Sequence, residues 1–191
     1  MRITLFGKPL GSLTDDELMQ RVSRKDDDRA FGELYHRHAR RLMGFFFRQI
    51  ERDEALAADL MQDAFLRIWT ARDKFTGTSF RTWLFTIAFN LIKNHIRHSV
   101  HQKQFEQFVA QHQPATEDSK IIETLDDAAF DVALRQELER MSPDGRLLFS
   151  LRFEEELSVP QIAEVMAIPE GTVKSRLHTL TQTLKQKLNQ A

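Results

Sequence analysis

Residues 157–188 read LSVPQIAEVMAIPEGTVKSRLHTLTQTLKQKL. Ser158 with Gln161 three residues on is a capping-box start, so a helix is predicted over Val159–Met166, stopping at Ala167-Ile168-Pro169. A second helix follows from about Glu170 to Leu188, with Ile162, Val165, Ile168, Val173 and Leu177 facing inward. Two helices joined by so tight a turn make a helix-turn-helix. Thr172, Lys174, Ser175, Arg176 and His178 occupy the first two turns of its second helix, where a recognition helix presents base and phosphate contacts. Helical hairpins also serve as plain scaffolds, so the hairpin alone leaves both readings open.

Working back toward the N-terminus, ALRQELERM from Ala133 and a cap at Ser142 followed by Pro143 add two more helices, giving a small domain over 133–191. Residues 99–132 hold two basic and seven acidic groups, carry Pro114 and lack a sustained apolar stripe, so they read as a flexible acidic linker. Ahead of it, 15–98 forms a first helical domain behind a short tail, 1–14. Helices are predicted over Asp15–Arg24 (capped by Thr14), Asp28–Ile50, Asp53–Ala71 and about Ser79–His98. Phe31, Leu34, Tyr35, Leu42 and Phe45 mark the inner side of the second; in the third, Leu56, Ala57, Leu60, Met61, Ala64, Phe65, Ile68 and Trp69 fall in pairs four apart. The fold class is therefore all-α, two small domains joined by a linker.

The fourth helix is apolar on most sides but carries Thr82, Thr86, Asn90, Lys93 and Arg97 at spacings of 4, 4, 3 and 4, a single polar stripe about 22 Å long. No carboxylate stands between Asp73 and Glu106, so the local field favours phosphates and base edges. Phe75, Phe80, Trp83, Phe85 and Phe89 flank the stripe. Exposed rings beside amide and basic groups would bind unstacked bases, whereas the apolar spacing of most of them reads equally as core.

Composition narrows the classes. The 191 residues include no cysteine, which excludes disulfides, thiolate zinc sites, iron–sulfur clusters and cysteine nucleophiles, and fits a reducing compartment. MRITLFGKPLG lacks the apolar core of a signal peptide and nothing approaches a membrane span, so the cytoplasm is expected. There is no glycine-rich phosphate loop and no nucleophile elbow. Asp26–Asp28 and Glu154–Glu156 are consecutive and read as solvated turns or helix ends; His95, His98 and His101 could gather on one helix face but have no carboxylate nearby. No catalytic residue, cofactor or metal is expected. The net charge of -1 gives no global hint of a nucleic-acid partner, yet resolved by segment it is +2, −5 and 0 over 15–98, 99–132 and 133–191.

Taken together, DLMQDAFLRIW, FTGTSFRTWLFTIAFNLIKNHIR, the acidic linker and LSVPQIAEVMAIPEGTVKSRLHTL, in that order, closely resemble the extracytoplasmic-function class of bacterial sigma factors over residues 15–98 and 133–188. The resemblance implies that Asp59, Leu60, Gln62 and Asp63 bind the clamp coiled coil of RNA polymerase. It implies that Phe75 to Arg97 recognise and melt the minus-ten element, with Phe75, Arg81, Trp83, Thr86, Asn90, Lys93, Asn94 and Arg97 at the DNA. It implies that Gly171–Arg176 reads the minus-thirty-five element, and that an anti-sigma factor holds the protein inactive. This chain departs from the pattern at His178-Thr-Leu-Thr181, where relatives often carry arginines, so a weaker duplex grip or a different base preference is expected. The competing reading is a helix-turn-helix regulator with a helical sensor domain that needs no polymerase; co-purification with core polymerase separates the two.

Overall fold

The computed structural model describes residues 9–50, 52–76, 79–109 and 128–188, and side chains for all of these except 99–109 and 128–133. Eight helices form it: α1 (Asp15–Lys25), α2 (Asp28–Gln49), α3 (Glu54–Thr70), α4 (Phe80–Val109), α5 (Ala128–Arg140), α6 (Pro143–Phe149), α7 (Val159–Met166) and α8 (Glu170–Leu188). Local chemistry sets their starts. Thr14 and Ser158 open α1 and α7 with reciprocal capping boxes, and Asp27, Asp53 and Ser142 accept from the third backbone N–H of α2, α3 and α6. Asp26 and Ala167 end α1 and α7 in the left-handed conformation.

In the first domain α2 lies between α1 and α3, and α4 packs on α3. Phe45, Phe46, Phe80 and Phe85 are fully buried, and the Phe45 and Phe85 rings meet edge to face at 5.2 Å, tying α2 to α4. In the second domain α8 packs on α5, α6 and α7 around Leu147, Leu148, Leu151, Ile162, Val165, Val173 and Leu180. Ile168 and Leu177, expected inside the helix-turn-helix, are half-buried against this core.

Three features differ from the sequence reading. Helix α4 does not stop at His98 but continues to Val109, because His98–Phe108 contains neither Gly nor Pro and is rich in Gln, a good helix former. Helix α5 starts at Ala128, five residues ahead of the expected Ala133. Tyr35, expected inside α2, is 41% exposed.

The two domains also pack together, on which the sequence reading made no statement. Helix α7 lies along α4, and α6 approaches α2. After α6 the chain winds through a wide π turn, Ser150–Glu154, closed by the Glu155 N–H donating to the Ser150 carbonyl at 2.8 Å. That turn presents Ser150, Glu154 and Glu155 to the first domain. Glu154–Glu156, read as a solvated turn, instead places Glu155 at 1% exposure in contact with α2. Its partners are more than a hundred residues away, beyond the reach of any local pattern.

Candidate nucleic-acid and polymerase interfaces

The polar stripe of α4 is shorter than its spacing suggests. Thr82 is buried and its hydroxyl has no partner among the described residues; Thr86 is half-buried and donates to the Thr82 carbonyl at 2.9 Å. Asn90, Lys93 and Arg97 are exposed, and half-buried Asn94 accepts from Arg97 at 3.3 Å. These four therefore form the accessible part of the face, three donors or cations and one adjoining amide.

The aromatic residues beside it resolve to core. Phe80, Phe85 and Phe89 are buried, and Phe75, expected at the DNA, is 8% exposed with its ring 5.5 Å from half-buried Trp83. No open stacking platform is presented by these rings in this state. Arg81, also expected at the DNA, donates to the Glu155 carbonyl of the second domain. Desolvation, followed by repulsion from Arg41, pushes its guanidinium below the usual arginine range.

Around Glu155 the charges are dense. Arg41 Nε donates to Glu155 Oε2 at 2.5 Å and Arg48 Nη2 to Oε1 at 3.4 Å, while Arg48 Nε reaches Glu154 at 2.8 Å. Burial pushes the Glu155 carboxyl up against the pull of Arg41 and Arg48. Nearby, Gln49 donates to Ser150 at 2.8 Å and Arg52 to Glu139 at 3.0 Å.

On α8, Lys174, Ser175, Arg176 and His178 are exposed and Thr172 is half-buried. Ser175 Oγ donates to the Thr172 carbonyl at 3.0 Å, and Thr179 and Thr183 likewise bond back one turn, so these hydroxyls are engaged with their own helix. Arg176 lies 3.8 Å from Asp144, a loose surface pair, and Lys174 points to solvent.

On α3, Asp59 and Gln62 are exposed, Leu60 is half-buried, and half-buried Asp63 is held by two bonds from Arg67 at 3.0 and 3.1 Å. This strip continues into an apolar groove that the sequence reading did not include. Leu66, 63% exposed, stands one turn beyond Gln62, and Tyr35 and Phe65 meet at 4.7 Å beside Phe31 and Trp69. Leu66 was legible as an outlier: it falls outside the apolar pairs of α3 and so had to point away from the core.

Among the described residues no group of three or more His, Asp or Glu side chains is placed to hold a metal; the His101 side chain lies outside them. No described helix is long and apolar enough to cross a membrane.

Comparison with known proteins identifies the two halves of the chain. Residues 34–101 match the Sigma-70 region 2 family and residues 131–179 the Sigma-70, region 4 family. The RNA polymerase sigma-H factor of Pseudomonas aeruginosa is 32% identical over 183 residues, covering 91% of this chain and 93% of that protein. The ECF RNA polymerase sigma-E factor of Haemophilus influenzae is 29% identical over 185 residues, covering 92% and 96%. In fold, the sigma factor RpoE solved with the anti-sigma factor NepR from Bartonella quintana superposes with a TM-score of 0.68 at 23% identity, over 83% of this chain and 96% of that one. CnrH in complex with the cytosolic domain of CnrY gives 0.65 at 22%, over 92% and 97%. The two halves built around α3–α4 and α7–α8 are thus sigma region 2 and region 4, and the chain belongs to the extracytoplasmic-function RNA polymerase sigma factors.

Proposed function

We propose that the protein binds core RNA polymerase through α3, directs it to promoters through α4 and α8, and nucleates melting at the minus-ten element without itself catalysing a reaction. The polymerase contact is Asp59, Leu60, Gln62 and Asp63, extended by the exposed Leu66 and Tyr35 at the rim of the apolar groove. The minus-ten contact is Asn90, Lys93, Asn94 and Arg97, with Thr86 and the Phe75–Trp83 pair beside it and Arg81 joining it once the domains part. Flipping a base costs a few kcal/mol of unstacking, which a pocket closed by Phe75 and Trp83 would offset by restacking. The minus-thirty-five contact is Lys174, Ser175, Arg176 and His178, with Thr172 at the helix start.

The observation that carries this reading is the single polar, carboxylate-free face of α4 in a chain whose second half is a helix-turn-helix. Packed as they are, α4 and α7 cannot serve two promoter elements that lie more than two helical turns apart, so promoter binding requires the domains to separate. An anti-sigma factor is the partner class we assign as the regulator of that separation, by analogy with the neighbour solved with NepR. Run-off transcription with core polymerase on a broad template library tests the reading: promoter-specific transcripts are expected, and no stimulation by folded protein on any template overturns it.

A further inference from the structure

One face of α2 holds more positive charge than its partners use. Arg40, Arg41 and Arg48 line an open cleft of about 500 Å³ whose floor at Gly44 has no side chain. With Arg37, which forms one end and is engaged by Asp15 and Glu33, the row runs along about 16 Å of helix. A DNA strand presents several phosphates over that length. The cleft's opposite wall is Glu154 and Glu155 of the second domain. These two carboxylates engage Arg41 and Arg48, while Arg40 is exposed and has no ion pair among the described residues. The cleft also adjoins the first turn of α4, because Arg81 donates to the backbone of the same Glu155.

We propose that this arginine cleft is a phosphodiester track for the promoter strand leaving the minus-ten face, and that Glu154 and Glu155 occupy it as phosphate stand-ins while the domains are closed. The proposal rests on the promoter-binding function above and adds to it a site on α2 and a reason the free protein should hold DNA weakly. Carboxylate and phosphate oxygens compete for the same guanidinium forks. Burial of Glu155 disfavours its charged form, so the seat is one from which a stronger anion displaces it. Withdrawal of the second domain frees Arg41, Arg48 and Arg81 together, and with Arg40 they make a continuous basic path into α4.

Full-length protein is titrated into a labelled 20-nucleotide single strand and followed by anisotropy at several salt concentrations. Glu154→Lys with Glu155→Lys should open the cleft, tighten binding roughly tenfold and steepen the log–log salt slope by about 2, the value for three newly engaged phosphates. Adding Arg40→Ala and Arg41→Ala should return affinity to within about threefold of wild type, whereas the charge-matched Arg24→Ala with Lys25→Ala, exposed in the last turn of α1 and outside the cleft lining, should keep most of the gain. A methylphosphonate strand, lacking the charges, should not respond to opening. No gain in an opened variant that melts as a folded protein overturns the proposal, and so does a gain that survives loss of Arg40 and Arg41. Arg40→Ala alone, at an exposed position, gives an arm that does not depend on refolding of the interface. In reconstituted holoenzyme on a selected promoter it should leave core affinity unchanged and make the salt dependence of open-complex formation shallower by about 0.7. An unchanged slope overturns the track, while failure of the wild-type protein to bind core polymerase would strike the sigma-factor function instead.

Discussion

Gln49 at the end of α2 and Ser150 at the start of the π turn are 101 residues apart in sequence and share a buried hydrogen bond of 2.8 Å, amide to hydroxyl. It lies beside the Arg48–Glu154 and Arg52–Glu139 ion pairs and so belongs to the seam joining the two sigma domains. Ser150→Ala would leave the Gln49 amide buried without an acceptor, at a cost of about 1–3 kcal/mol borne by closure. The open population should rise, seen as a larger radius of gyration in small-angle scattering, and Gln49→Leu added to Ser150→Ala should restore much of the compactness. Unchanged scattering in the single variant would count against this seam.

Asp15, the first residue of α1, accepts from Arg37 at 2.9 Å and faces His38 Nε2 at 2.7 Å. The hydrogen bond from His38, opposed by burial and aided by Arg37, holds its carboxyl below the usual value of 3.8. A depressed folded-state pKa contributes stability above the unfolded value and loses it as pH falls through the folded one. Asp15→Asn should therefore cost roughly 1 kcal/mol at neutral pH, after allowance for solvent screening. The difference in melting temperature from wild type should close as the solution is acidified below 3.8, and a gap that persists there would refute the assignment.

Asn90 and Lys93 stand exposed on α4 and line neither the α3 groove nor the arginine cleft. Alanine at both should impair opening of duplex promoters by one to two orders of magnitude, the loss expected of a base contact together with a phosphate contact. Core polymerase affinity should be unchanged. Permanganate footprinting of the melted strand, beside a core-binding titration, checks both halves of the expectation.

Thr82 is buried at 1% exposure with a hydroxyl that has no hydrogen-bond partner among the described residues. Thr82→Val keeps the branched shape and removes the orphan group, so it should raise stability by about 1 kcal/mol in a chemical denaturation curve. A loss of stability would mean that the hydroxyl has a partner.

Ala167 holds the turn between α7 and α8 at φ 52°, ψ 46°. A left-handed alanine costs about 1–2 kcal/mol and glycine's extra chain entropy about 0.5–1, so Ala167→Gly should stabilise the protein by about 0.5–1 kcal/mol. Thermal melting at neutral pH reads this directly, and a lower melting temperature would contradict it.

What the sequence disclosed about the fold was what depends on near neighbours. Thr14, Asp27, Asp53, Ser142 and Ser158 located helix starts because a cap and the N–H it satisfies lie three residues apart. The inward faces of α3 and of the helix-turn-helix followed from 3.6-residue spacing. The end of α4 was missed because a helix continuing into solvent needs only helix-forming residues, not an apolar stripe. Of the residues expected at the DNA, Asn90, Lys93 and Arg97 are exposed as the stripe implied, but periodicity gives a direction and not a depth, and it could not tell that Thr82 and Phe75 are covered. The arginine cleft was invisible for another reason: Arg41 and Glu155 are each ordinary surface residues until the chain brings them together across 114 positions.

The length of α4 sets a scale for the whole molecule. Its 30 residues form an arm about 45 Å long, rooted among the phenylalanines of the first domain. The nineteen steps from Val109 to Ala128 can bridge no more than about 65 Å even when fully drawn out. Arm and connection together therefore cap how far the second domain can travel from the first when the two part.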